Sequence, residues 1–223
     1  MKILITGDFV INTKYSISNL DDSIITLFRL SDLNIVNLEA PVTDSTSKIQ
    51  KTGPHLKANR ESTSVVMKIL NVSVVTLANN HLLDYNKQGV IDTLDFCEKN
   101  RIKNVGGGLS IKEASRTLYL ETKEGRIGLI NFAENEWSSA SDVTAGSNPM
   151  DIIDNTKQIK EAKEVCDKVI VIVHGGHEYY NLPSPRMQKQ YRFYVDQGAD
   201  IVVGHHTHCI SGNEVYNGVP IYY

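Results

Sequence analysis

The chain has 223 residues, 41% of them hydrophobic and 22% charged, which is ordinary for a globular protein with a sizeable core. A formal net charge of -3 and the lack of a basic run argue against a nucleic-acid-binding protein. An anionic substrate would therefore need a local positive centre such as a metal ion, because the overall charge does not attract it.

Short apolar runs alternate with amphipathic segments along the chain, a pattern typical of α/β architecture. In chain order, the predicted strands are Lys2–Thr6, Asn34–Asn37, Val72–Leu77, Lys103–Val105, Thr117–Glu121, Arg126–Phe132, Lys168–His174, Ile201–Gly204, Glu214–Tyr216 and Val219–Tyr223. The predicted helices between them are Asp21–Leu30, Arg60–Leu70, Lys87–Lys99, Asn155–Cys166 and Pro185–Gln197.

Two polar stretches connect predicted elements. We interpret residues 41–54, rich in Ser, Thr and Lys, as a solvated loop. Residues 138–149 form a long connection for a compact domain, so we consider a lid there. We expect residues 1–223 to form a single domain. Its last strand has no flanking turn after Tyr223, which suggests either truncation at the C-terminus or a naturally short form.

Cysteine usage and hydropathy bear on the cellular compartment. Cys97, Cys166 and Cys209 are widely spaced, which favours neither a disulfide framework nor a thiolate zinc site and suits a reducing compartment. The N-terminal apolar run is too short for a signal peptide, and no stretch approaches the roughly 18 apolar residues of a membrane span. We therefore expect a cytoplasmic protein with no membrane span. The sequence indicates no oligomeric state.

Residues that can ligate metal follow the apolar runs at five places. They are Asp8, Glu39, the run Asn79-Asn80-His81, His174, and the run His205-His206-Thr207-His208. Because ligands bind at the carboxyl ends of strands in α/β sheets, these loops should converge. A single His after a strand is more often structural than a ligand, but five such strand ends favour a site for a divalent ion.

Two local patterns give this site more detail. In an extended segment, residues i and i+2 point the same way, so His206 and His208 could reach one locus. In the other pattern, the Asn80 amide oxygen could ligate metal while the His81 imidazole stays free for proton transfer. Asp84, three residues further on, could orient His81 or cap the following helix.

Together these motifs resemble the CapA family, the capsule-synthesis branch of the calcineurin-like metallophosphoesterases. The residues that carry the resemblance are Gly7-Asp8, Asn37-Leu38-Glu39, Ala78-Asn79-Asn80-His81 with Asp84-Tyr85, Gly106-Gly107-Gly108 with Glu113-Ala114, His174-Gly175-Gly176-His177-Glu178-Tyr179, and residues 198–208. The similarity extends from Lys2 to Tyr223. Its motifs are specific as a set and weak one by one.

The resemblance implies a four-layer α/β/β/α sandwich of two mixed sheets flanked by helices. It also implies one or two divalent metal ions (Mn, Fe or Zn), with His81 as an acid beside them, Asp84 as its neighbour, and ligands Asp8, Glu39, Asn80, His174, His206 and His208. Wider metallophosphoesterases have His where this chain has Val10, and Asp where it has Glu39. The CapA branch shares both departures, which weaken one metal site.

The residues around these motifs have more than one interpretation. We interpret His177 as a residue that orients a ligand, and Glu178 as an acceptor for the free N–H of a ligating His. Arg186 and Arg192 lie on a predicted helix, where solvent exposure is the default interpretation.

The expected activity is metal-dependent hydrolysis of a phosphoester-type substrate in bacterial capsule or poly-gamma-glutamate biosynthesis. A metal-activated water would attack, with His81 as the acid. Two alternatives stay open: a non-catalytic metal-binding accessory protein of capsule synthesis, and a metal-dependent amidase acting on a glutamyl polymer. Fold alone does not choose among them.

Overall fold

The computed structural model describes residues 1–223, and every strand and helix predicted above is present in it. The strands are β1 Ile3–Phe9, β2 Leu33–Leu38, β3 Val74–Thr76, β4 Lys103–Val105, β5 Gly107–Gly108, β6 Leu118–Thr122, β7 Gly125–Ala133, β8 Gly146–Ser147, β9 Lys168–His174, β10 Ile201–His205, β11 Asn213–Tyr216 and β12 Val219–Tyr222. The helices are α1 Asp22–Arg29, α2 Arg60–Ile69, α3 Asn86–Lys99, α4 Ile111–Ala114, α5 Ile152–Val165 and α6 Pro185–Asp196, with a 3-10 turn at Ile17–Asn19.

Capping side chains decide where several helices begin. The carboxylates of Asp21 and Asp151 accept N–H groups from the first turns of α1 and α5. Asn59 caps α2 in the same way, and Ser184 caps α6, in which Pro185 occupies the first turn. Because Asp151 is the cap, α5 begins earlier than the apolar periodicity predicted.

The strands form two main sheets and one small ladder. The first sheet has the order β1-β2-β3-β4 and is wholly parallel. The second has the order β11-β12-β10-β9-β7-β6 and is mixed, with antiparallel strands at both edges. Strands β5 and β8 pair by themselves in antiparallel fashion.

Alternate residues of the central strands pack into different cores. In β2, Ile35 lies between the two sheets, whereas Val36 packs beneath helices α1, α2 and α3. In β9, Ile170 lies between the sheets and Val171 packs beneath α5 and α6. The order of layers is therefore α/β/β/α, which confirms the predicted fold class; the one refinement is that the smaller sheet is parallel rather than mixed.

One glycine is required where the two sheets are joined near the site. Gly106 has φ +88°, and a Cβ at this position would lie 2.1 Å from Asn131 Oδ1. That oxygen accepts a hydrogen bond of 2.7 Å from the N–H of Ala78, in the loop after β3. The absence of a side chain at Gly106 thus lets the second sheet hold the loop that carries Asn80.

The strand directions also locate the candidate site. Strands β1, β2 and β3 are parallel, as are β7, β9 and β10, so their carboxyl ends lie together within each sheet. No helix combines the length and the apolar character that a membrane crossing requires; the longest, α3 and α5, have 14 residues each.

Candidate metal centre

The six predicted ligands all lie at this end of the sheets, and each has a ligand atom within 4.8 Å of one from another member of the set. Asp8 Oδ1 lies 3.7 Å from His174 Nδ1, and Asp8 Oδ2 lies 3.1 Å from His208 Nδ1. Asn80 Oδ1 lies 3.1 Å from His174 Nε2. Residues that are as much as 200 positions apart in sequence, such as Asp8 and His208, therefore meet at a single place.

Glu39 gives the clearest indication of a bound cation. Its Oε1 atom is buried without a hydrogen-bond partner, yet it lies 3.8 Å from His208 Nε2 and 4.0 Å from His174 Nε2. These distances are too long for hydrogen bonds. Donors bonded to one ion at about 2.1 Å are separated by about 3.0 Å at a right angle and about 4.2 Å when opposite, so the spacing fits a shared divalent ion.

The ionisation states of the buried groups are also consistent with a shared divalent ion. Burial, together with the negative charges of Asp8 and Glu178, raises the pKa of Glu39 to about 8. Burial and the neighbouring His206 hold the pKa of His174 well below its ordinary value, so this imidazole is neutral at pH 7. A neutral imidazole offers a lone pair to a cation, and a cation would allow Glu39 to ionise.

His206 and His208 converge by a different route from the predicted one. Strand β10 ends at His205, and the backbone turns beyond it, with φ +92° at His206 and +53° at His208. The expectation of an extended segment was therefore wrong. Ligand atoms of Glu39, His206 and His208 nevertheless lie within 4.8 Å of one another, because the left-handed turn folds both rings towards the strand ends.

Asn37 links the ligands, although it was only part of a motif in the sequence. Its Nδ2 lies 2.6 Å from Asp8 Oδ1 and 3.2 Å from His174 Nδ1, while its Oδ1 accepts from Thr76 and Asn79. Asn37 belongs to β2 and is fully buried. One side chain thereby sets the orientation of a carboxylate on the first sheet and an imidazole on the second.

His81 and Asp84 form a hydrogen-bonded pair beside the ligands. His81 Nδ1 lies 2.7 Å from Asp84 Oδ2, which also accepts from the N–H of Leu56. Burial opposes ionisation of Asp84, but hydrogen bonds from His81 and Lys51 outweigh it and lower the pKa of this carboxyl. Helix α3 has no side-chain cap, so of the two interpretations of Asp84, orientation of His81 is the one that the contacts support.

Lys51 completes this group and qualifies the interpretation of residues 41–54. The Lys51 side chain is 2% exposed; it forms an ion pair with Asp84, and its Nζ lies 3.2 Å from His81 Nδ1. Most of residues 44–54 are exposed, as expected, and the exception that matters for the site is the buried side chain of Lys51. Composition alone could not identify the partner, which lies more than 30 positions away.

The second polar stretch also differs from expectation. Residues 138–149 include β8, and Ser138 and Ser147 are buried. The Ser147 hydroxyl donates to the carbonyl of Asn79 at 2.7 Å and accepts from its N–H at 3.2 Å. This stretch therefore packs against the loop that carries Asn80 and His81 and holds it by hydrogen bonds. It does not form a lid.

A cleft of about 690 Å³ opens above the ligands. Glu39, Asn80, His81 and His208 line its floor together with Val10, whose side chain cannot ligate metal. Further lining residues are Lys51, Glu136, Trp137, Glu178 and Tyr179. Lys51 is the only lysine or arginine among them and is already paired with Asp84, so the cleft is acidic and favours cations.

Several side chains near the cleft had uncertain roles in the sequence. His177 is exposed and lies outside the cleft lining, whereas Glu178 Oε1 lies 4.0 Å from His208 Nε2. Arg186 and Arg192 are solvent-exposed, as expected, and each also forms an ion pair, with Glu134 and Glu214 respectively. Another contact not predicted is that of Glu136 Oε1, 4.0 Å from His206 Nε2.

The layer order and this strand-end site define a metallophosphoesterase-like α/β protein. Two solved structures share the fold: a novel phosphatase from Mycoplasma pneumoniae (TM-score 0.59, 15% identity, covering 100% of this chain and 70% of that one) and a putative 5'-nucleotidase from Staphylococcus aureus (TM-score 0.56, 13% identity, covering 99% and 47%). At these identities the likeness shows the fold alone.

The model of the bacterial capsule synthesis protein PGA_cap family matches residues 2–223, and the chain belongs to that family. It is similar to the PGA biosynthesis protein CapA of Bacillus subtilis (strain 168), at 38% identity over 201 residues, 88% of this chain and 53% of that protein. It is also similar to the capsule biosynthesis protein CapA of Bacillus anthracis, at 34% over 202 residues, 86% of this chain and 49% of that protein.

A third relative is a probable polyglutamine synthesis accessory protein of Mycobacterium tuberculosis (strain H37Rv), 25% identical over 206 residues, 86% of this chain and 54% of that protein. The chain thus spans about half the length of the curated relatives it matches. The resemblance to the CapA family inferred from the sequence is confirmed.

Proposed function

We propose that this chain is a metal-dependent hydrolase that acts on a phosphoester-type substrate in capsule or polyglutamate synthesis. The observation that carries the proposal is Glu39, whose buried oxygen has no hydrogen-bond partner and lies between two histidines at cation-sharing distances. We further propose that residues 1–223 form one domain, because both sheets contribute side chains to the core between them.

The residues that would hold one or two divalent ions (Mn, Fe or Zn) are Asp8, Glu39, Asn80, His174, His206 and His208. Their mixture of carboxylate, amide and imidazole donors suits borderline-to-hard divalent metals. When bound, such an ion supplies a positive centre for an anionic group and lowers the pKa of a coordinated water. This centre offsets the acidic character of the cleft, which otherwise repels a phosphate.

His81 would serve as the acid that protonates the leaving oxygen. Its Nδ1 is directed to Asp84, so its Nε2 is the nitrogen available to a substrate in the cleft. Asp84 is itself held by Lys51 and by the N–H of Leu56, so the ring orientation is set by contacts that do not involve the metal ligands. A fixed donor of this kind contributes to leaving-group departure without a further reorganisation step.

The substrate class follows from the family and from the cleft. Relatives are named for PGA, capsule and polyglutamine synthesis, which supports a polymeric substrate, while the candidate metal centre supports a phosphate-containing one. A glutamyl polymer with an amide linkage would need the same positive centre and the same proton donor. Because the chain spans only about half of these relatives, their activities as whole proteins extend to it only as part of this proposal.

A second candidate is a metal-binding accessory protein without turnover. The word accessory in the name of the Mycobacterium tuberculosis relative supports it. His81 discriminates the two, since metal binding does not require this residue and protonation of a leaving group does.

The test compares the parent protein, His81→Ala and His177→Ala, each loaded with Mn²⁺, on an aryl phosphate monoester and diester. His177 is a suitable control because it is an exposed histidine outside the cleft lining. If the protein is a hydrolase, the parent and His177→Ala should both be active. His81→Ala should lose activity by about 100-fold or more while its metal content stays unchanged. No turnover of esters or of a glutamyl polymer with any metal would contradict the hydrolase and favour the accessory role.

A further inference from the structure

Glu178 contacts the candidate metal centre, and the hydrogen-bond role expected from the sequence does not account for this contact. Its Oε1 lies 4.0 Å from His208 Nε2, and the carboxylate forms no hydrogen bond with another group of the protein. Glu39 Oε1 approaches the same nitrogen at 3.8 Å, also without a hydrogen bond. Two carboxylate oxygens thus face one imidazole nitrogen at distances that are too long for hydrogen bonds and that fit donors around a single cation.

The backbone holds Glu178 beside this histidine. The N–H of Tyr179 donates to the carbonyl of Thr207 at 2.7 Å, which ties the segment to the turn between His206 and His208. The Tyr179 ring lies 5.8 Å from the His208 ring, centroid to centroid. Although the Glu178 side chain is 46% exposed, its backbone is therefore anchored to the segment that carries His208.

The surroundings of His208 need a further donor. His208 Nε2 faces Glu39, and ligand atoms of Glu39, His206 and His208 lie within 4.8 Å of one another, whereas Asp8 contacts the other ring nitrogen of His208, Nδ1. Just beyond β1, the cleft is lined by the apolar side chain of Val10 and by Asn12. Divalent ions of this class take four or more ligands, so a locus with three protein donors is incomplete.

We propose that Glu178 is a metal ligand that completes the locus formed by Glu39, His206 and His208. The inference rests on the metal centre of the proposed function and extends its ligand set by one carboxylate. It changes the interpretation of Glu178 made from the sequence, in which this residue accepted an N–H from a ligating histidine. The buried, unpartnered oxygen of Glu39 facing the same nitrogen is the independent indication that a cation belongs there.

The test is titration calorimetry of chelator-treated protein with Mn²⁺ alone, which needs no substrate. Glu178→Gln removes the charge, and Glu178→Asp keeps the charge but shortens the arm. We expect both variants to raise the Kd for Mn²⁺ by about tenfold or more, or to abolish one binding event. Asp44→Asn is the control, since Asp44 is an exposed carboxylate near the cleft that has no ion pair or hydrogen bond with any proposed ligand.

Two results would overturn the assignment. If Glu178→Asp keeps parental affinity while Glu178→Gln and Asp44→Asn weaken Mn²⁺ binding equally, the overall charge near the cleft sets the affinity and Glu178 is not a ligand. If both Glu178 variants bind as the parent does while His206→Ala loses Mn²⁺, the centre exists without Glu178. Unchanged Mn²⁺ binding in His206→Ala as well would contradict the metal centre itself, which separates failure of the inference from failure of the proposed function.

Discussion

Replacement of Lys51 by Met tests whether the buried ion pair with Asp84 holds the site together. The Lys51 and Asp84 side chains are 2% and 0% exposed, so the substitution leaves an ionised carboxylate in the interior with one of its charge partners removed. Breaking a buried pair in this way costs about 3–5 kcal/mol. At about 2–4 °C per kcal/mol for a protein of this size, Tm should fall by roughly 6–20 °C.

The direction of the pH dependence follows from the pKa of Asp84. This pKa is lowered in the folded protein, so the stability it contributes is full above the ordinary value of 3.8 and is lost as pH falls through the folded value. The stability gap between Lys51→Met and the parent should therefore be widest at neutral pH and should narrow below about pH 4, where the carboxyl takes up a proton.

The assay is equilibrium urea denaturation at about pH 7.5 and at about pH 3, with four variants: Lys51→Met, Asp84→Asn, the double variant and Lys57→Met. Lys57→Met is the matched control, because Lys57 lies in the same loop and donates to the carbonyl of Ser45 without a carboxylate partner. The double variant Lys51→Met, Asp84→Asn removes both charges and should recover at least about 2 kcal/mol relative to the sum of the single changes. Strict additivity, or equal losses in Lys51→Met and Lys57→Met, would refute the reasoning.

Three further predictions concern the ligands and the loop that carries them. In chelator-treated protein, the protonated Glu39 contributes stability that is complete below pH 4.5 and is lost as pH rises through about 8. Glu39→Gln should therefore be more stable than the parent at pH 9, by up to about 5 kcal/mol in urea denaturation. A variant less stable than the parent at that pH would contradict the prediction. Asn37→Ala removes the amide that contacts His174 and should weaken Mn²⁺ binding by about 10–100-fold in calorimetry, whereas parental affinity would show that the ligands orient themselves. Gly106→Ala places a Cβ against Asn131 at a positive φ and should cost roughly 2–4 kcal/mol in denaturation experiments; a loss below about 0.5 kcal/mol would mean that the loop relaxes freely.

The regular elements were predictable because each carries its own pattern. Strands β4 and β9 have the predicted bounds, Lys103–Val105 and Lys168–His174. In β9 the pattern is an apolar run, residues 169–173, with a polar residue at each end. The ladder of β5 and β8 was not predictable, because two-residue strands have no periodicity and are stabilised only by each other. The start of α5 depended on a cap at Asp151 rather than on apolar spacing.

The sequence by itself determined which chemical groups stand at the strand ends. An apolar run followed by Asp8, Glu39, Asn80, His174 or His208 is a local feature, and the rule that such ends lie together converts it into a candidate site. The family, too, was recognisable from these motifs taken as a set.

Only the tertiary structure decided which groups contact one another and in what state. The orphaned oxygen of Glu39, the bridging amide of Asn37, the burial of Lys51 and the approach of Glu178 to His208 depend on distances between segments far apart in the chain. A local pattern holds no information on such distances, because burial and charge pairing are properties of the packed layers. These contacts form, and these side chains are buried, only when the two sheets pack against each other.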